Sequence, residues 1–157
     1  MTEQTNESAA EQQAQLTEPD ADVKRLEPLI GTWTLSGETT GEVRYEWMEG
    51  GFFLLQHVNM ELHGHAVRGL EVIGRLRPFG EEPSKEIMSR TYSSTGETLD
   101  YVYELKDNTL TIWGGERGSP AYFQGTFTDD GATCAGEWVI PGDGYSTTMT
   151  RVRQEKL

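Results

Sequence analysis

Apolar and polar residues alternate with a period of two along most of this chain. Trp33 and Leu35 share the first apolar phase. Val43, Tyr45 and Trp47 share the next, with Arg44 and Glu46 opposite. The run from Phe52 to Leu62 keeps Leu54, Val58, Met60 and Leu62 in phase, and Gln56 falls among them. Leu70 and Val72 follow, with Glu71 on the other side. Then come Leu99, Tyr101, Tyr103 and Leu105; Leu110 and Ile112; Phe123 and Phe127; Trp138 and Ile140; and finally Tyr145, Met149 and Arg151. Between the fourth and sixth of these segments, Glu86–Ser93 fits either phase: Ile87, Ser89 and Thr91 inward, or Met88, Arg90 and Tyr92 inward. Such alternation marks strands with one buried face and predicts ten of them.

The connections carry hairpin chemistry. Glu49-Gly50-Gly51, Thr95-Gly96, Asp107-Asn108, Asp129-Asp130-Gly131 and Gly142-Asp143-Gly144 supply residues that tolerate positive φ. Only Arg77–Lys85 and Gly114–Pro120 are longer. None is long enough for a crossover helix, so the expected sheet is an antiparallel meander. Ten strands in a meander remove both exposed edges by closing, which predicts an up-and-down β-barrel, with a β-sandwich as the second architecture.

Ahead of the strands, Asp20 or Asp22 can cap a short helix with Val23, Leu26 and Leu29 on its apolar side, which Pro28 limits to a turn or two. Residues 1–22 are polar and acidic and are expected to form a disordered tail, because they cannot bury enough apolar surface to offset the entropy of ordering. The barrel domain is expected over 23–157.

Charge narrows the classes of function. The net charge is −13. Six acids precede Val23, but the body keeps an acidic excess without them. Such a body lacks the clustered Lys and Arg that nucleic acid or an anionic membrane surface requires. The single cysteine, Cys134, excludes an intramolecular disulfide. The first residues have neither the basic start nor the apolar stretch of a signal peptide, and no apolar run is long enough for a membrane helix. A soluble, cytoplasmic protein is expected.

The segment Pro28-Leu29-Ile30-Gly31-Thr32-Trp33, a short apolar stretch running into Gly-x-Trp, and the closing Thr150-Arg151-Val152-Arg153 resemble the calycin superfamily of lipocalins, fatty-acid-binding proteins and nitrobindin-like barrels. More narrowly the chain is similar to a bacterial family of uncharacterised lipocalin-like domains, over roughly Leu26 to Arg153. The resemblance implies that Trp33 packs under Arg151, or Arg153 as the alternate, to close the barrel floor. It implies a mouth at the opposite end, rimmed by His63, His65 and Arg117. Nitrobindin-like barrels hold haem through a His near the C-terminus. No His follows His65 here, so haem is not carried over and no cofactor is expected.

The candidate ligand-binding residues are those on the inward phases: Tyr45, Trp47, Gln56, Val58, Tyr103, Phe123, Trp138 and Met149. Tyr101 and Tyr145 are further aromatics on that phase. Aromatic rings with polar tips suit an amphipathic guest, and they also fill a barrel. Arg68 and Arg90 join the set if they face inward, since a buried guanidinium needs a partner and a carboxylate guest would supply one. His63-Gly64-His65, with His57, is the only spacing reminiscent of metal ligands. The plainer reading is a hairpin turn at Gly64. Cys134 reads as a buried filler. Gly114–Gly118 lacks the Lys and helix of a phosphate loop. No nucleophile or paired-carboxylate pattern stands out. The expected function is binding of one small, mostly apolar molecule inside the barrel. The alternative is a cofactor-independent cyclase or isomerase that acts by shape and leaves no motif. Haem or metal binding stands third.

Overall fold

The computed structural model describes residues 18–152. Ten strands form one closed antiparallel barrel: β1 (Gly31–Gly37), β2 (Thr39–Trp47), β3 (Phe53–Leu62), β4 (His65–Gly74), β5 (Ile87–Ser93), β6 (Thr98–Lys106), β7 (Thr109–Gly114), β8 (Tyr122–Phe127), β9 (Thr133–Ile140) and β10 (Asp143–Arg151). Each strand pairs with its neighbours in sequence, and β1 pairs with β10 to close the ring. The meander is therefore the predicted one, and no edge is left open. Among the described residues no helix is long and apolar enough to cross a membrane.

One end is plugged from the sequence immediately before β1. Helix α1 (Ala21–Lys24) starts at Asp20, whose carboxylate accepts the Val23 N–H at 3.0 Å. A 3-10 turn, Glu27–Leu29, follows, with Pro28 in its first turn. Val23, Leu26 and Leu29 are all buried beneath the strands. Asp20 and Asp22, counted with the tail in sequence, are tied to the barrel. Arg75 donates to Asp20 Oδ2 at 2.5 Å and to Asp22 Oδ2 at 3.0 Å. Burial works against the charge on Asp20, but the bonds from Arg75 and Val23 outweigh it and hold the carboxyl below its usual value. The rest of the expected tail, residues 1–17, lies outside the described residues, as does Arg153.

Trp33 is the centre of this closed end. It is fully buried, and its Nε1 donates to the Leu29 carbonyl at 2.8 Å. The Arg151 guanidinium lies 4.2 Å from the Trp33 ring centroid. Its nitrogens donate to the backbone carbonyls of Ile30 and of Pro28, the latter at 2.7 Å. Trp33 and Arg151 are also cross-strand partners. The ring thus receives a cation on its face, while the guanidinium caps carbonyls left at the end of the 3-10 turn. The expected floor pair is Trp33 and Arg151.

The barrel interior grades from closed to open along the strands. Near the plugged end most inward side chains are buried, among them Leu54 on β3, Ile73 on β4, Ile87 on β5, Leu110 on β7, Phe127 on β8 and Cys134 on β9, while Trp47 and Leu105 are half-buried. Toward the other end the inward side chains become half-buried: Gln56, Val58 and Met60 on β3, Val67 on β4, Thr91 on β5, Tyr101 on β6, Trp138 on β9 and Tyr145 on β10. Leu99 and Ile140, at the ends of β6 and β9, reach 51% and 40% exposure. In a closed barrel an inward side chain meets solvent only through an open end. The lower interior is therefore mostly packed core, and the upper interior is the partly exposed end, the cup, although Thr39 on β2 is buried there.

One expected phase is reversed. Leu70 and Val72 face outward, and Glu71 and Ile73 face inward. Register decides this, because directly opposed residues share a face: Gln56 pairs with Glu71 and Leu54 with Ile73. Leu70 and Val72 are half-buried on the outer wall, where their cross-strand neighbours include Leu55, His57, Arg90 and Tyr92. On the ambiguous β5, Ile87, Ser89 and Thr91 are the inward set.

Candidate functional site

The base of the cup is polar. Glu71 is 5% exposed and is the only buried carboxylic acid among the described residues, where no Lys, Arg or His is buried. Three strands hold it. Ser89 Oγ donates to Glu71 Oε2 at 2.6 Å, and Tyr103 Oη donates to the same oxygen at 2.7 Å. On the other side Gln56, the cross-strand partner of Glu71, donates through Nε2 to Tyr45 Oη at 2.8 Å. Glu71 Oε1 receives no hydrogen bond from a described residue. Yet among them no buried side-chain nitrogen or oxygen lacks a partner. Oε1 therefore retains some accessible surface.

Burial pushes the Glu71 carboxyl above its ordinary value, and the bonds from Ser89 and Tyr103 oppose that rise only in part. Burial likewise raises the phenols of Tyr45 and Tyr103 well above their usual value, with the Glu71 charge adding to the shift. Burial and the same charge push Tyr101 up to about 12. These phenols stay protonated through neutral pH and remain hydrogen-bond donors.

The walls of the cup differ. One is aromatic. Tyr101 and Trp138 meet with ring centroids 5.7 Å apart at 57°, and Phe123 packs on the other part of Trp138 at 5.7 Å and 49°. Phe123 lies flat because Gly125 and Gly136 sit beneath it. A Cβ at either position would come within 2.8 Å of the Phe123 ring. The other wall, on β3 to β5, is aliphatic or small: Val58, Met60, Val67, Gly69 and Thr91.

Most sequence candidates meet here. Gln56, Val58 and Trp138 line the cup, and Tyr45, Tyr103 and Phe123 are buried at its base or behind its wall. Met149 is buried in the packed core between its cross-strand neighbours Leu35 and Cys134. Trp47 lies at the plugged end, where its Nε1 donates to Glu27 at 3.0 Å. Two candidates are corrected. Arg68 and Arg90 are on the outer wall, because they pair in register with outward Asn59 and Asp100 and donate to those side chains. The motive for a carboxylate guest goes with them. Sequence reasoning placed Tyr101 on the inward phase but missed Glu71 and Ser89 as site residues. The signal available was Gln56 on an inward phase, which calls for a polar partner on the next strand.

Other candidates resolve differently. Arg117 does not rim the opening. Its loop folds back along the outer wall, where the guanidinium binds Glu86 and Glu104 and lies 4.6 Å over the Trp113 ring. His63 and Gly64 form the β3–β4 turn, at φ of 50° and 83°. His57 lies on the outer wall beside Glu46, at 2.8 Å. The described residues bring no three of His, Cys, Asp and Glu together. Cys134 is buried, which pushes its thiol up to about 11. A groove of about 240 Å³ runs beside α1, lined by Asp22, Arg75, Glu86, Glu104 and Arg117. These five charges pair with one another or with Asp20; Arg25, Lys85 and Lys106 line the same groove.

No protein-family model matches the chain, and no curated protein matches it.

Proposed function

We propose that the protein binds one small, mostly apolar molecule in the upper half of its barrel, as a lipocalin-like module of the calycin kind. The observation that supports this reading is the gradient of the inward face: mostly buried at the plugged end, partly exposed aromatic and aliphatic side chains at the other. Leaving rings such as Tyr101, Trp138 and Tyr145 wet forgoes hydrophobic stabilisation of about 25 cal/mol per Å². A guest that covers them recovers it. Native mass spectrometry of the protein purified from its own host tests the reading. A copurifying small molecule at one per chain, lost on denaturation, is expected. A bare chain that also binds no apolar probe contradicts it.

A cofactor-independent isomerase or cyclase is the second reading. Glu71 favours it, because a carboxyl with a raised pKa and one free oxygen in a sheltered cup has the properties of a general acid or base. Turnover of a bound guest that stops in Glu71→Gln while binding persists would select this reading. Unchanged turnover in that variant would remove it.

A further inference from the structure

The cup holds one ionisable acid and no base. Every Lys and Arg among the described residues lies on the outer wall or at the plugged end. Arg44, Arg68 and Arg90 bind Glu46, Asn59 and Asp100 outside the barrel. Arg151 lies under Trp33, turned to backbone carbonyls. A buried carboxyl with no cation nearby is costly as an anion. Here two donors, Ser89 and Tyr103, already converge on Oε2, and only Oε1 is left without a donor. Beside it stand π faces. Tyr101 is the cross-strand partner of Ser89, and its ring makes a tilted corner with Trp138. A carboxylate oxygen next to an aromatic corner is the arrangement that recognises a positively charged nitrogen, by a charge-assisted hydrogen bond and by cation–π attraction.

We propose that the cup selects an apolar molecule bearing one protonated amine, with Glu71 Oε1 as the counter-ion and Tyr101 and Trp138 as the aromatic faces. The inference rests on the upper interior being a guest site and adds the class of guest. The amine enters as an ammonium and the Glu71 proton leaves to solvent, so the interior is neutral before and after binding. An anionic guest finds no cation in the cup, and it is repelled wherever Glu71 is ionised. The titratable groups that face Glu71 are the phenols of Tyr45, Tyr101 and Tyr103, all raised and silent in the acid range. Tyr145 also faces inward, and His63, His65, Glu38, Glu97 and Asp143 are ionisable groups at the rim.

The test uses octylammonium, octanol and octanoate, isosteric apart from the head group, titrated into the whole protein with tryptophan emission as the readout. Octylammonium is expected to bind about tenfold or more tighter than octanol, one charge-assisted bond being worth that much. Octanoate is expected to bind weakest. The octylammonium affinity rises with pH as Glu71 loses its proton, and octanol shows no such rise. A His63→Gln/His65→Gln variant keeps that profile. In Glu71→Gln, whose amide oxygen still accepts from Ser89 and Tyr103, octylammonium falls to the level of octanol. If that variant does not fold, the wild-type pH profiles decide. Octanol equal to or tighter than octylammonium, or an octylammonium affinity flat with pH, overturns the inference. A solvatochromic apolar dye separates the two failures. Dye bound without ammonium preference removes only the amine. No dye and no octyl compound bound removes the guest site as well.

Discussion

The two halves of the barrel interior are built from the same strands and the same alternation, yet they do different work. In the lower half the strands converge on Trp33, and a preceding helical segment supplies Val23, Leu26 and Leu29 to seal the end. Polar groups there, such as the Arg151 guanidinium, turn to backbone carbonyls and complete the structure. In the upper half many inward side chains, such as Val58, Tyr101, Trp138 and Tyr145, stay partly exposed. Its polar groups form a small network, Tyr45 with Gln56 and Ser89 and Tyr103 with Glu71, that leaves one carboxylate oxygen unused. Stability therefore concentrates below, and recognition above.

The largest expected effect lies at the sealed end. Trp33→Ala should destabilise by about 3–5 kcal/mol, because the surrounding core cannot collapse into the space vacated. Arg151→Ala should cost less. Urea denaturation of both and of the double variant should show coupling, since the two groups touch; additive effects would show that the stacking contributes nothing.

At the base of the cup the expected cost is smaller. Tyr103→Phe removes one of two donors to a buried carboxyl and should destabilise by about 1–3 kcal/mol. Glu71 itself gives a pH signature. Its folded value is raised, so the folded state holds the proton more tightly than the unfolded state. Stability from this group is present below the ordinary carboxylate range and is lost as pH rises through the raised value. Denaturation of Glu71→Gln should lack that loss, so its advantage over the wild type should grow from pH 4 to pH 7. A constant difference would show that the carboxyl is not sensed as buried.

Smaller again is the tie between the first helix and the barrel. Asp20→Ala removes the cap of α1 and one partner of Arg75 and should cost about 1 kcal/mol. No change in melting temperature would mean that residues 18–22 behave as tail after all.

The strand pattern, the turns and the floor pair were legible because each is a local or periodic signal. Trp33 and Leu35, or Val43 and Tyr45, show alternation whatever lies across from them. What stayed hidden was set by register between strands. Leu70 and Val72 look like an inward pair beside Glu71, but both phases of β4 carry apolar residues, and only the pairing of Gln56 with Glu71 decides which faces in. The same pairing sends Arg68 outward opposite Asn59. Arg117 misled for another reason: its loop folds back to reach Glu86 and Glu104, far away in sequence. The candidate site was thus half visible, its apolar wall from periodicity and its single acid only from the fold.

The central claim is that the upper interior is an open guest site, and Val58 is the place to test it. Val58 is half-buried on the small wall of the cup, facing in at the edge of the core, and a larger side chain there fills the cup. Titration of a solvatochromic apolar dye into the wild type, Val58→Trp and the outer-wall variant Glu46→Ala is the direct measurement. The account predicts saturable one-to-one binding in the wild type and in Glu46→Ala, and none in Val58→Trp, whose unfolding free energy stays within about 1 kcal/mol of the wild type. Dye that binds Val58→Trp as well as the wild type, or binds neither, would contradict it.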